Sequence, residues 1–239
     1  MSLFGRKRKQ QHQPTCAMVV VAAGSSQRMG QDKMLLELEG QPVLVHTLRA
    51  LESCHRVEEI VVVTREDLVG TVAGLCREHG LTKVKTVVRG GATRVESANL
   101  GTLEVSEGAK LIGIHDGARP FVTAQVMERV VDKAHQTGAA APAVPVQDTI
   151  KVAVNGVVDH TPDRATLFAV QTPQVFDADL IRGALTKALQ DNAPLTDDCS
   201  AVERLGMPVS LVEGDRNNIK LTTPADLAVA QVILEGWNQ

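Results

Sequence analysis

The sequence predicts an α/β protein: a single, mostly parallel sheet with helices on both faces. Three observations predict it. Short β-branched apolar runs recur along the chain, and segments with a helical apolar period separate them. Three charged, glycine-bearing segments follow such runs, where ligands bind in parallel sheets. The 239 residues are 44% apolar and 22% charged, an ordinary globular composition with enough chain for one sizeable core.

The strand signals are "CAMVVVA" (16–22), "EEIVVVT" (58–64), "VKTVV" (84–88), "KLIGIHD" (110–116) and "GAAAPAVPV" (138–146). Runs this short and this apolar suit strands covered on both faces. Between them, 42–53, 66–80, 93–105 and 123–138 repeat apolar residues near every 3.6 positions. Gly80 and Gly138 fall where helices end. Strand–helix alternation implies right-handed crossovers, hence a Rossmann-like parallel sheet. Helical signals resume at 177–191, 196–206 and 223–237, the last with Thr223 as N-cap before Pro224.

Residues 147–176 break this rhythm. They hold alternating strand-like pieces and an Asn155-Gly156 turn, a hairpin signal. The pattern fits a protruding β-arm that pairs with another subunit and equally an internal edge hairpin. Residues 1–15, with "RKRK", read as a disordered basic tail, and 16–239 as one domain carrying the arm.

Several classes are excluded. The net charge of −3 provides no broad basic field for nucleic acid, and a chain with no Tyr, one Trp and four Phe offers few stacking platforms. No apolar run is long enough to span a bilayer, so no membrane partner is expected. Cys16, Cys54, Cys76 and Cys199 form no CxxC pair and read as buried free thiols of a cytoplasmic protein.

The first rim segment, "AAGSSQRMGQDK", is neither a P-loop nor a G-x-G-x-x-G fingerprint. Its small residues let backbone N–H groups approach an anion. Arg28 adds a fork of donors and Lys33 a movable point charge, which together suit a polyphosphate. "RGGATRVES" has backbone groups at Gly90 and Gly91 and a helix entry at Thr93, a second anion or base site. "IHDGARP" puts His115, Asp116 and Arg119 at a strand end. Asp116 there suits a hydrated Mg²⁺ or a sugar hydroxyl and Arg119 a phosphate, or the two pin the loop to itself. Lys220, after "NNI", is a candidate rim lysine. Asp197 and Asp198 suit a helix N-terminus better than a metal pair.

The segments "VVVAAGSSQRMG…K", "RGGATRVESANLG", "IHDGARPFV", "PVQDTIK", "TPQVF", "LTDDCSAVE" and "VEGDRNNIKLTTPADL" occur in this order. In this the chain resembles the 2-C-methyl-D-erythritol 4-phosphate cytidylyltransferases of non-mevalonate isoprenoid biosynthesis, over nearly all of 16–237. The resemblance implies transfer of CMP from CTP to methylerythritol phosphate, with Mg²⁺ or another divalent cation, and release of pyrophosphate. It implies that Ala22, Ala23, Gly24, Ser25, Gly91 and Ser97 hold the nucleotide, and that Arg28, Lys33 and Lys220 serve catalysis. Asp116, Arg119, Thr149, Arg164 and Thr172 would bind the acceptor, with Asp116 also on the metal. It further implies a homodimer in which the arm delivers Thr149 and Arg164 to the partner's site. Two rivals remain: cytidylyl transfer to another polyol phosphate such as ribitol 5-phosphate, and a catalytically silent nucleotide-binding regulator.

Overall fold

The computed structural model describes residues 13–24 and 34–237. In chain order it runs β1 (Cys16–Ala22), β2 (Glu37–Leu38), β3 (Gln41–Pro42), α1 (Val43–Ser53), β4 (Val57–Thr64), α2 (Val69–Glu78) and β5 (Val84–Arg89). Then follow α3 (Arg94–Leu103), β6 (Leu111–Asp116), α4 (Ala124–Thr137), β7 (Ala139–Pro145), β8 (Val152–Val154), β9 (Val157–His160) and β10 (Phe168–Val170). The chain closes with β11 (Gln174–Asp177), α5 (Ala178–Gln190), α6 (Asp198–Glu203), β12 (Ser210–Glu213) and α7 (Pro224–Trp237).

The expected α/β sheet is present. β5, β4, β1 and β6 lie side by side and parallel, with β1 central. All seven residues of β1 are buried because its two faces enter two cores. Met18, Val20 and Ala22 pack with α1, α2 and α4 residues such as Leu48, Val72 and Met127. Ala17, Val19 and Val21 face the opposite core with Ala98 of α3, Ile181 of α5 and Val202 of α6. Helix ends follow local chemistry. Thr123 caps α4 by accepting from the Val126 N–H, and Gly138 ends it at φ 84°. The helix expected over 66–80 is a 3₁₀ turn at Glu66–Leu68 followed by the shorter α2.

α3 sits unusually close to the sheet. A Cβ on Gly101 would collide with Val19 and lie 2.7 Å from Val63. Gly→Ala inside a helix normally stabilises by about 1 kcal/mol, but overpacking costs about 1–3 kcal/mol. Both contacts are to stiff, buried valines, so the cost falls near the upper end, about 2 kcal/mol net, and Gly101→Ala is expected to lower Tm by roughly 4–8 °C. An unchanged Tm in calorimetry would place α3 further from the sheet than described.

One expectation needs correction. Residues 147–176 do not leave the sheet as one arm. β8 and β9 form a separate hairpin, but β10 pairs with β7, and β11 is inserted antiparallel between β6 and β7. Val175 and Phe176 of β11 are fully buried. β12, not foreseen as a strand, lies parallel to β7 on its other side. β10 and β11 are two halves of one interrupted strand. Gln171, Thr172, Pro173 and Gln174 lie opposite Ala141 and Pro142 of β7, so the strand bulges there. Bulges re-aim side chains, and this one points toward the carboxyl end of β6, where Thr172 meets His115.

Candidate active site

A cavity of about 320 Å³ opens at the carboxyl rim of β1 and β6. Ala23, Gly24 and Met34 form one wall, Gly91 to Arg94 and Ser97 another, and Asp116 and Lys220 the floor. Gly24 and Met34 are the described residues on either side of 25–33. Ser25, Arg28 and Lys33 lie outside the described residues, as does most of the basic tail.

The second wall is held by the start of α3. Thr93 accepts from the Glu96 N–H, and the Glu96 carboxylate accepts from the Thr93 and Ala92 N–H groups. The fold leaves no room at Gly91, where a Cβ would strike the Glu96 side chain. Ser97 Oγ accepts from the Gly91 N–H at 3.1 Å and donates to the Thr93 carbonyl at 2.9 Å, so it shapes the turn. Ala22 is turned into the core, and its neighbours Val21 and Ala23 line the cavity.

Asp116 is the electrostatic centre. Its Oδ2 lies 2.9 Å from Lys220 Nζ and 3.5 Å from Arg119 Nε, and its Oδ1 lies 3.4 Å from Arg94 Nη2. Burial works to raise its pKa, but Arg94, Lys220 and Arg119 outweigh burial and hold the carboxyl well below the usual range. Lys220 is placed by its chain neighbours. The Leu221 N–H donates to the Ala118 carbonyl at 2.9 Å, and Arg119 Nη1 donates to the Asn218 carbonyl at 2.6 Å. Arg119 thus ties the loop after β6 to the segment carrying Lys220, and it does not line the cavity.

Thr172 reaches the site from the bulge. His115 Nε2 faces the Arg119 carbonyl at 3.1 Å and must carry the proton. Nδ1, 3.0 Å from Thr172 Oγ1, then accepts from that hydroxyl, which in turn accepts from the Asp116 N–H at 3.1 Å. Burial pushes His115 down to about 4. The unfolded chain takes up this proton near the ordinary value of 6.5, so stability falls as pH drops from 6.5 toward 4. By pH 5 the loss from this group is about 2 kcal/mol. Urea melts at about pH 7 and pH 5 should show it, and His115→Asn should flatten the difference; an equal slope in both proteins would remove His115 as the cause.

Arg94 and Asp198 escaped the sequence reading as a pair. Arg94 Nη1 and Nη2 donate to the two Asp198 carboxylate oxygens at 2.8 Å each, across 104 positions of chain. One signal was available: Arg94 is the first residue of α3, and a cation there opposes the helix dipole. Asp197 does cap α6, as expected, by accepting from the Ser200 N–H. Thr149 and Arg164 are not brought to the cavity. Both are exposed on the arm, where Arg164 donates to the Gln147 carbonyl at 3.0 Å.

A metal at Asp116 was expected, and the donor set does not fit one. Its oxygens face three cations, and among the described residues no group of three or more His, Cys, Asp or Glu could hold an ion. Small residues walling a rim cavity, with cations at its floor, make the class of site that suits a phosphorylated ligand such as a nucleotide.

Comparison with known proteins narrows the class. The family model of 2-C-methyl-D-erythritol 4-phosphate cytidylyltransferase matches residues 16–236, and the chain belongs to that family. A relative of that name from Syntrophus aciditrophicus is 42% identical over 226 residues, 93% of this chain and 97% of the relative. One from Symbiobacterium thermophilum is 44% identical over 222 residues, 92% of each chain. The solved 4-diphosphocytidyl-2C-methyl-D-erythritol synthase of Anaerococcus prevotii superposes with a TM-score of 0.84 at 28% identity, covering 93% of this chain and 96% of that one. The 2-C-methyl-D-erythritol 4-phosphate cytidylyltransferase of Thermus thermophilus gives 0.74 at 32% identity, covering 91% and 98%. The chain is therefore a nucleotidyltransferase enzyme that uses CTP to transfer a cytidylyl group in isoprenoid biosynthesis.

Proposed function

We propose that the reaction takes place in the rim cavity and is driven by charge placement. The 4-phosphate of methylerythritol attacks the α-phosphorus of CTP in line. A phosphorus–oxygen bond forms to the acceptor, the bond to the β-phosphate breaks, and its electron pair leaves with pyrophosphate. A phosphate monoester is already ionised near neutral pH, so no general base or covalent enzyme intermediate is required. The protein's task is to hold two polyanions together and stabilise charge on the leaving group.

The observation that carries this reading is the cluster of Arg94, Arg119 and Lys220 around Asp116 beside a wall of small residues. Ala23, Gly24, Gly91 and Ser97 line the nucleotide end, and Lys220 faces the reacting phosphates. Arg28 and Lys33 grip the triphosphate, on a segment whose flanking residues Gly24 and Met34 both line the cavity. Asp116 lies at the acceptor end, with Arg119 and Thr172 behind it holding the loop after β6 in place. Magnesium belongs to this reading as a companion of the CTP phosphates, and no step is assigned to it. Pyrophosphate release from CTP, assayed with methylerythritol phosphate and with ribitol 5-phosphate, tests the assignment. Equal turnover of both acceptors, or turnover of neither, would overturn it.

A homodimer goes with this reading. All residues of β8 and β9 are exposed, and Val154 and Val157 show 61% and 71% of their surface to solvent. An isolated two-stranded hairpin is marginal in water, and a second copy would cover those valines and receive Thr149 and Arg164. Arg164→Ala should raise KM for the acceptor more than it lowers kcat. Mixed with Arg28→Ala subunits and assayed at acceptor well below the raised KM, it should recover activity above either parent, since one site of each mixed dimer is then intact. No recovery in verified mixed dimers would end the case for shared sites. A cytoplasmic location suits the four buried, unpaired cysteines.

A further inference from the structure

The pair formed by Arg94 and Asp198 has a geometry that a structural staple does not need. Asp198 is 1% exposed, and its own N–H donates to Gln174 Oε1 at 3.0 Å at the end of the β10–β11 bulge. Both of its oxygens take the Arg94 fork. That pair is complete by itself. Yet Arg94 Nη2 also leans on Asp116 Oδ1, at 3.4 Å, and Arg94 lines the cavity.

The charges explain the arrangement. Arg94, Arg119 and Lys220 face two carboxylates. With Asp198 present, its charge offsets that of Arg94, and Asp116 keeps its closest contact, 2.9 Å, for Lys220. Without Asp198, Arg94 would close on Asp116 and compete with Lys220 for it. Without Arg94, Oδ1 of Asp116 would lose the cation that faces it, and the carboxylate could rotate away from Lys220. Burial and two carboxylates act on Arg94 in opposite directions, and the carboxylates win, so its charge is constant.

We infer that Arg94, locked by Asp198, is a positioning residue that orients the Asp116 carboxylate and through it the Lys220 ammonium. The inference rests on the reading that the phosphates react beside Lys220. Misplacement of a reacting group by about 1 Å can cost about 10²-fold in rate. Arg94→Gln is therefore expected to lower kcat by about tenfold to 10²-fold, with KM for CTP and acceptor shifting less than about threefold. Asp198→Asn should move kcat in the same direction, and Arg94→Lys should restore little because a point charge cannot hold both carboxylates.

The deciding measurement is a double-mutant cycle with Lys220→Ala. If Arg94 acts through Lys220, adding Arg94→Gln to Lys220→Ala lowers kcat no further. A staple between α3 and α6 instead lowers Tm, leaves kcat per folded molecule intact, and overturns the proposal. Fully additive losses overturn it too, as does a loss confined to KM for CTP. Should Arg94→Gln fail to fold, Asp198→Asn carries the same cycle. A normal rate for Lys220→Ala would instead sink the site reading itself, which keeps the two failures apart.

Discussion

Lys220→Ala is expected to lower kcat by about 10²–10³ while the protein stays folded, because it removes one preorganised cation from the point where charge develops. The Lys220 side chain is 37% exposed, so its loss leaves no buried hole. It is not free to wander: Asp116 holds it at 2.9 Å, and the Leu221–Ala118 hydrogen bond fixes the backbone beside it. Such preorganisation is what gives a single donor a large effect on the transition state. Steady-state kinetics with CTP and methylerythritol phosphate, beside a thermal melt, would check it. Lys220→Arg should recover only part of the loss, because a fork cannot occupy the position of a compact point charge. A kcat within about threefold of the parent for Lys220→Ala would remove Lys220 from the catalytic assignment.

Arg28→Ala and Lys33→Ala carry the second large expectation. Each should cut kcat at least about tenfold, and about 10²–10³ where the cation meets the leaving pyrophosphate. The reasoning is electrostatic. CTP and the acceptor are both polyanions, and as described Asp116 and Asp198 already offset two of the three cations Arg94, Arg119 and Lys220 at the cavity floor. Little positive charge is left there for a triphosphate, so further cations must come from elsewhere on the rim. The segment between Gly24 and Met34 is the adjacent source, with Arg28 and Lys33 in its sequence. A further signature separates the two roles: Arg28→Ala and Lys33→Ala should also weaken pyrophosphate inhibition, whereas Lys220→Ala should weaken it less. Near-normal turnover in both rim variants would refute the triphosphate assignment.

Much of the site was legible because its signals are local. Small residues after β1, glycines before α3 and the charged turn after β6 announce a rim wherever a buried strand precedes them. The Asn155-Gly156 turn was legible for the same reason, and both residues adopt positive φ, 51° and 78°. The return of the arm was not legible. β11 has the same short apolar look whether it extends a hairpin or enters the sheet between β6 and β7, and only pairing distinguishes the two. Arg119 was open between a phosphate ligand and a loop pin. As described it does the second, reaching Asp116 and the Asn218 carbonyl. Asp116 looked like a metal ligand because two of the three cations around it, Arg94 and Lys220, come from positions distant in sequence.

The sequence by itself determined the layered α/β sheet and the loops that wall a cavity at its rim, since apolar period, turn chemistry and residue type act over a few neighbouring positions. Tertiary structure alone decided which group faces which: that Asp198 holds Arg94, that Lys220 leans on Asp116, and that a bulge brings Thr172 to His115 and the Asp116 N–H. The physical reason is range. Backbone preference is set within a turn or two of chain, whereas a Coulomb partner is whatever the topology folds to within a few ångströms.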